Sequence, residues 1–186
     1  MLFRSGDATG AAITINSGAT TFNSTLATAS GITSAANVTF KDDVTIAAGD
    51  TATTLNGNTT FDKATQLTFT AGGNATFGDA GTDQVTLASG PVTITTAAAN
   101  TNQVYNAKVD GARDLTLAAG TGTITFNAAV GGTNAIGDAT GAAITINSGA
   151  TTFNSTLATA SGITRDRKST RLNSSHSQQS RMPSSA

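Results

Sequence analysis

One short pattern keeps returning between residues 6 and 164: apolar, threonine, apolar, then a polar or small-residue stretch. It reads Ile13-Thr14-Ile15, Val38-Thr39-Phe40, Val44-Thr45-Ile46, Leu67-Thr68-Phe69, Val85-Thr86-Leu87, Val92-Thr93-Ile94, Leu115-Thr116-Leu117, Ile124-Thr125-Phe126 and Ile144-Thr145-Ile146. Weaker copies are Thr20-Thr21-Phe22, Thr59-Thr60-Phe61, Ala75-Thr76-Phe77 and Thr151-Thr152-Phe153. Successive side chains of a strand point to opposite faces, so the two apolar residues are expected inside and the central Thr outside. β-Branched Val, Ile and Thr suit such a half-buried pleated surface. Turn chemistry comes from Gly, Asn, Asp and Ser, as at Asn56-Gly57 and Ala71-Gly72-Gly73. No stretch carries a 3.6-residue apolar stripe between helix caps.

Strands this short, following one another at roughly 6 to 12 residues, are what two or three strands per coil would give. The expected fold is all-β, a parallel β-helix (β-solenoid), with a β-sandwich as the alternative because spaced short strands also describe that fold. Seven of the eight phenylalanines close the pattern: Phe22, Phe40, Phe61, Phe69, Phe77, Phe126 and Phe153. They share a face with Val, Leu and Ile, so they are expected to stack inside the coil rather than form an exposed sugar-binding row. A longer repeat overlies the short one: Gly6–Thr33 and Gly137–Thr164 are identical over 28 positions at an offset of 131. A tandem array and an assembly joined across one repeat both fit this identity.

The two ends do not follow the pattern. Asp166 to His176 resembles a translated short-read sequencing adapter, and Ser177 to Ala186 reads as an index followed by that adapter's continuation. Leu2-Phe3-Arg4-Ser5 resembles the tail of an adapter arm. The expected division is therefore residues 1–5 and 165–186 adapter-derived, the latter disordered, with a solenoid segment over 6–164. Open strand edges on such a segment are expected to invite self-association.

Setting the ends aside changes the chemistry. The only histidine, His176, goes with the tail, and residues 6–164 keep Lys41, Lys63, Lys108 and Arg113 against ten aspartates and no glutamate, a formal charge of −6. A basic nucleic-acid arm is thereby discounted. Absence of Cys excludes disulfide and thiolate chemistry. No apolar run is long enough for a membrane-spanning helix, so no membrane insertion by this segment is expected.

The phrases Asp114–Gly120, Gly122–Gly131 and Gln103–Asn106 resemble the repeats of very large bacterial surface proteins, the filamentous-haemagglutinin-like and autotransporter-type adhesins. That resemblance spans essentially all of residues 6–164. It implies secretion, a right-handed parallel β-helix stalk, and a place on the bacterial surface or outside the cell. Neighbouring repeats of the same parent protein and host-cell or surface glycans are the implied partners.

Candidate chemistry is sparse. Without His, Cys or Glu, residues 6–164 exclude imidazole-dependent triads and His- or Cys-bound zinc, and no catalytic residue or cofactor is expected. Asp42 and Asp43 are adjacent, so in a strand they would face opposite sides, and as a turn pair they would be solvated. Polysaccharide-cleaving β-helices use carboxylates with basic residues, which only Lys108, Asp110, Arg113 and Asp114 approximate; turn and salt-bridge duty explains them as well. Gly78–Val85 matches a calcium-binding nonapeptide except at Asp79, making Asp79 and Asp83 the metal candidates, yet one copy supplies too few oxygen ligands. Gly72-Gly73 and Gly131-Gly132 lack the following helix and Lys of a phosphate loop. Aligned Thr-x-Thr pairs, as at Thr68/Thr70, Thr93/Thr95 and Thr123/Thr125, resemble ice-binding solenoids, but their uneven spacing along the chain argues against a flat lattice.

Overall fold

The computed structural model describes residues 12–47, 51–98 and 100–165, and the backbone of Arg4–Ser5. The adapter-like segments 1–5 and 165–186 therefore lie outside the described residues, except for Arg4–Ser5 and Arg165. Among the described residues there is no helix, and every strand pairing is parallel. Three strands make one turn, each on a different sheet, and the turns stack along one axis. Sheet A stacks Arg4–Ser5, Leu26–Thr28, Val44–Ile46, Leu67–Ala71, Val92–Thr96, Leu115–Ala118, Ala142–Asn147 and Gly162–Arg165. Sheet B stacks Ile13–Ile15, Ile32–Ser34, Thr53–Leu55, Ala75–Phe77, Gln103–Tyr105, Thr123–Phe126 and Ala150–Phe153. Sheet C stacks Thr20–Phe22, Val38–Phe40, Thr59–Phe61, Gln84–Leu87 and Lys108–Asp110, then continues as single bridges at Val130 and Leu157. This is the expected solenoid. A sandwich would pair its strands antiparallel.

Strand ends are set by the corners. Register partners stand 18 residues apart for Leu26 and Val44 but 29 apart for Leu115 and Ile144. The strands stay aligned because surplus residues are absorbed in corner loops. Where corners of successive turns touch, only glycine fits: a Cβ at Gly122 would lie 1.9 Å from the Thr101 carbonyl oxygen. Asparagines tie other corners together from turn to turn. Asn58 N–H donates to Asn37 Oδ1 at 3.0 Å, and Gln84 N–H donates to Asn58 Oδ1 at 2.9 Å. On a later stretch Asn154 Nδ2 donates to Asn127 Oδ1, and Asn127 Nδ2 to Asn106 Oδ1, each at 2.8 Å.

The axis is filled by aromatic rings in continuous contact. Phe22, Phe40 and Phe61 stack on sheet C with centroids 5.4 and 5.9 Å apart. Phe69, on sheet A, meets Phe40, Phe61 and Phe77 edge-on. From Phe77 the stack continues on sheet B through Tyr105, Phe126 and Phe153 at 5.0, 4.6 and 4.8 Å. All seven expected phenylalanines thus point inward, and each fully buried ring contributes on the order of 1.5–3 kcal/mol. Offset stacking and edge-to-face contacts are the arrangements that the ring quadrupole favours.

Tyr105 is the member that the Phe pattern did not announce. In Gln103-Val104-Tyr105 the alternation is inverted in polarity: Gln103 and Tyr105 are buried, while Val104 faces outward. Gln103 Nε2 donates to the carbonyl oxygens of Ile94 and Ala118, both at 3.1 Å. Its Oε1 accepts the Tyr105 hydroxyl at 3.0 Å. Each side chain satisfies the other, and burial pushes the Tyr105 phenol well above the usual tyrosine range. Removing one partner leaves a buried acceptor bare.

Tyr105→Phe, which keeps the ring, is therefore expected to lower unfolding free energy by about 1–3 kcal/mol, whereas Phe61→Ala costs about 3–5 kcal/mol through the cavity it opens. The buried Thr59 hydroxyl has no hydrogen-bond partner among the described residues, so Thr59→Val should raise stability. Urea melts of the three variants test this ordering, and an unaltered Tyr105→Phe midpoint would contradict the buried Tyr–Gln pair.

Candidate functional site

The fold turns the outward threonines into straight columns. On sheet A, Thr68, Thr93, Thr116, Thr145 and Thr164 are successive register partners, and Thr45, Thr70 and Thr95 form a second column beside them. On sheet B the column runs Thr14, Thr33, Thr54, Thr76, Val104, Thr125, Thr152. On sheet C it runs Thr21, Thr39, Thr60, Thr86 and ends at Asp110. Neighbours in a column are about 4.8 Å apart and the paired columns of sheet A about 6.6 Å apart. The objection from uneven sequence spacing is corrected here, because the unevenness is confined to the corners. Of the three Thr-x-Thr pairs, Thr68/Thr70 and Thr93/Thr95 lie side by side on sheet A. Thr123/Thr125 lies on sheet B, where the Thr123 hydroxyl donates to Asn102 Oδ1 at 3.0 Å.

The corner leading from sheet C to sheet A carries the ion pairs. Asp42 and Asp43 sit in a turn, so they do not splay apart as they would in a strand: both converge on Lys63, at 2.8 and 2.9 Å from its Nζ. This corrects the expectation of a merely solvated pair. Thr25 Oγ1 donates to Asp42 Oδ2 at 3.1 Å, and Asp43 Oδ1 accepts the Thr68 N–H at 2.8 Å, so the cluster spans successive turns. Nearby, Lys41 lies 3.9 Å from Asp62, which accepts a short hydrogen bond from the Ser89 hydroxyl. The Lys63 ammonium, then the Asp43 N–H, hold the Asp42 carboxyl at about 2, below its ordinary value, and the hydrogen bonds to the Asp42 and Asp43 carboxylates raise Lys63. The signal that sequence reading lacked was the partner, a lysine twenty residues away that stacking alone brings near.

Asp110 is buried, and its carboxylate is taken up by its surroundings. Oδ1 accepts the N–H of Gly111 at 3.0 Å and of Asn134 at 2.7 Å, and Oδ2 accepts Gln84 Nε2 at 3.4 Å. Asp114 Oδ1 receives the Asp138 N–H at 3.4 Å. Lys108 is exposed and Arg113 partly exposed. These four residues lie close along the chain, with the two carboxylates anchoring loops of the following turn. At the calcium candidate, Asp83 Oδ2 accepts the N–H groups of Asp79 and Ala80 at 3.1 and 2.9 Å, closing its own turn. Asp79 is exposed, and among the described residues no three His, Cys, Asp or Glu side chains gather as a metal site would need.

Fold and surface together define a parallel β-solenoid repeat protein with threonine-columned faces. Comparison with protein-family models, curated proteins and solved structures found no match.

The pH dependence follows from Asp42. Its folded pKa lies below the unfolded value of about 3.9, so its contribution to stability is present above pH 4 and is lost as pH falls toward 2. Lys63→Met is expected to lower the melting temperature at pH 7 and to flatten its fall between pH 4 and 2. An identical acid profile in the two proteins would contradict the assignment.

Proposed function

We propose that this chain is a structural stalk or passenger segment of a large secreted or cell-surface adhesin-like protein, without catalysis. The observation that carries the reading is the continuous stack: between the first and last described turns, each turn hydrogen-bonds to its neighbours through strands of sheets A and B and through strands or single bridges of sheet C. Such a stack is stiff along one axis and repeats its surface chemistry along that axis. The resemblance of Asp114–Gly120 and Gly122–Gly131 to adhesin repeats supports an extracellular setting with glycans as partners. Neighbouring repeats would be the partners along the rod, and the net negative charge of residues 6–164 limits nonspecific adhesion. The test is direct: beads coated with the full chain should be retained on glycan-bearing surfaces in flow, and digestion of polyuronates should yield no product. Product that disappears in Asp110→Ala would favour the alternative, a polysaccharide-active β-helix.

A second reading gains from one observation, the in-register double column on sheet A. Methyl and hydroxyl groups repeating at about 4.8 by 6.6 Å offer a lattice on which water can order, as in an ice-binding solenoid. That reading predicts thermal hysteresis which is lost in Thr93→Lys and Thr116→Lys, whereas the stalk reading predicts none in the parent chain.

A further inference from the structure

The 28-residue stretch that occurs twice acts as an internal control, because one sequence is seen in two surroundings. In its first copy Ile13–Ile15 lies on sheet B, Thr20–Phe22 on sheet C, Leu26–Thr28 on sheet A and Ile32–Ser34 on sheet B. In its second copy the matching residues fall on sheets A, B, C and A, with Leu157 as the sheet C bridge. Every strand has moved by one face. Local stacking has not changed: Ile13 pairs with Ile32, and Ile144 pairs with Ile163. This sequence therefore dictates how a turn sits on the next turn and leaves the face open. The shift follows from the strand count. Sixteen strands and the Val130 bridge occupy the 131-residue period from Ile13, which on a three-sided prism is five turns and two thirds. The aromatic stack obeys the same rule, since Phe22 belongs to sheet C and its counterpart Phe153 to sheet B.

The two copies also differ in what covers them. Leu26 and Ile32 are 1% and 0% exposed beneath the next turn, whereas Leu157 and Ile163 are 38% and 42% exposed. A Cβ at Gly31 would lie 2.0 Å from the Ala52 carbonyl oxygen of the turn above, but at Gly162 it would meet nothing within 4 Å. In the first copy the cover comes from this chain's own strands Val38–Phe40, Val44–Ile46 and Thr53–Leu55. An edge of the same sequence is complementary to the same cover.

We infer that the C-terminal edge of the solenoid is the docking surface for a following copy of this sequence, entered one face out of phase. Val38–Phe40 of that copy stacks on sheet B, Val44–Ile46 on sheet C and Thr53–Leu55 on sheet A. Three copies restore the starting frame. Each surface feature, the Asp42–Asp43–Lys63 corner included, then recurs on each corner of the prism in turn, so a rod of such copies shows the same chemistry on every side. The inference rests on the rod reading only in taking the stack to continue.

Absence of native cysteine makes the frame readable by thiol cross-linking. In the full chain, Thr116→Cys with Thr145→Cys should link through a short bifunctional reagent, while Thr125→Cys with Thr145→Cys, the pair that an unshifted second copy would bring together, should not. In a chain lengthened by residues 34–164 after Thr164, Thr152→Cys should link to Thr39→Cys of the added copy, and Ala158→Cys should not. Linking of the Thr125 or Ala158 pair, equal linking of both pairs, or linking of neither overturns the inference. Small-angle scattering of the lengthened chain keeps the two readings apart. A rod of roughly doubled length with the wrong pairs linked sinks the rotated frame alone, and a particle that does not lengthen sinks the rod itself. Gly162→Val adds a control: it should leave the melting temperature of the full chain unchanged and abolish the Thr152–Thr39 link in the lengthened one.

Discussion

Everything in this molecule depends on the direction of its backbone hydrogen bonds. In a parallel stack the N–H and C=O groups of each short strand point along the rod axis, toward the turns before and after. A buried backbone group without a partner costs about as much as a lost hydrogen bond, so no turn is satisfied by itself. Registration between turns is therefore the constraint that local sequence must serve. Inward residues are chosen to stack on like residues, outward residues fall into columns, and all length variation is pushed into corners. The aromatic axis follows from the same constraint: once strands are in register, a Phe closing one strand lies against the ring closing the next, as Phe126 does against Phe153.

Much of this was legible in the chain. Period-two alternation over three residues gives the strand and its buried face, and seven phenylalanines at the closing position give the filled axis. What alternation alone leaves out is anything that depends on the neighbouring turn. Gln103 looks like a surface residue until its Nε2 is seen between the Ile94 and Ala118 carbonyls and its Oε1 on Tyr105. Asp42 and Asp43 look like a solvated turn pair until stacking brings up Lys63. The threonines look unevenly spaced until the corners absorb the difference. In each case the missing information is the length of a turn, and turn length varies from one coil to the next. Residues 165–186 were expected to be disordered, and of these only Arg165 is described, at the end of sheet A.

The same physics limits which functions the surface favours. Carboxylates that might have served chemistry are committed to structure: Asp110 to the Gly111 and Asn134 amides, Asp83 to its own turn, Asp42 to Lys63. Among the described residues, the outward surface repeats threonine columns flanked by asparagine and charged corners. A surface of that kind would offer many similar contacts along a line, as the proposed stalk requires. The face-neutral stacking of the repeated 28 residues points the same way, since it spreads any one feature around the rod.

The central claim is that the chain climbs one axis by one strand spacing per turn. Dipolar distances between spin labels along the sheet B column measure that climb. With one label at Thr14 and the second at Thr54, Val104 or Thr152 in place of the native side chain, the account predicts separations rising linearly. They should be about 10, 19 and 29 Å, at about 4.8 Å per strand. Distances that level off or reverse as the second label moves toward Thr152 would mean that the chain folds back on itself, and would contradict the solenoid.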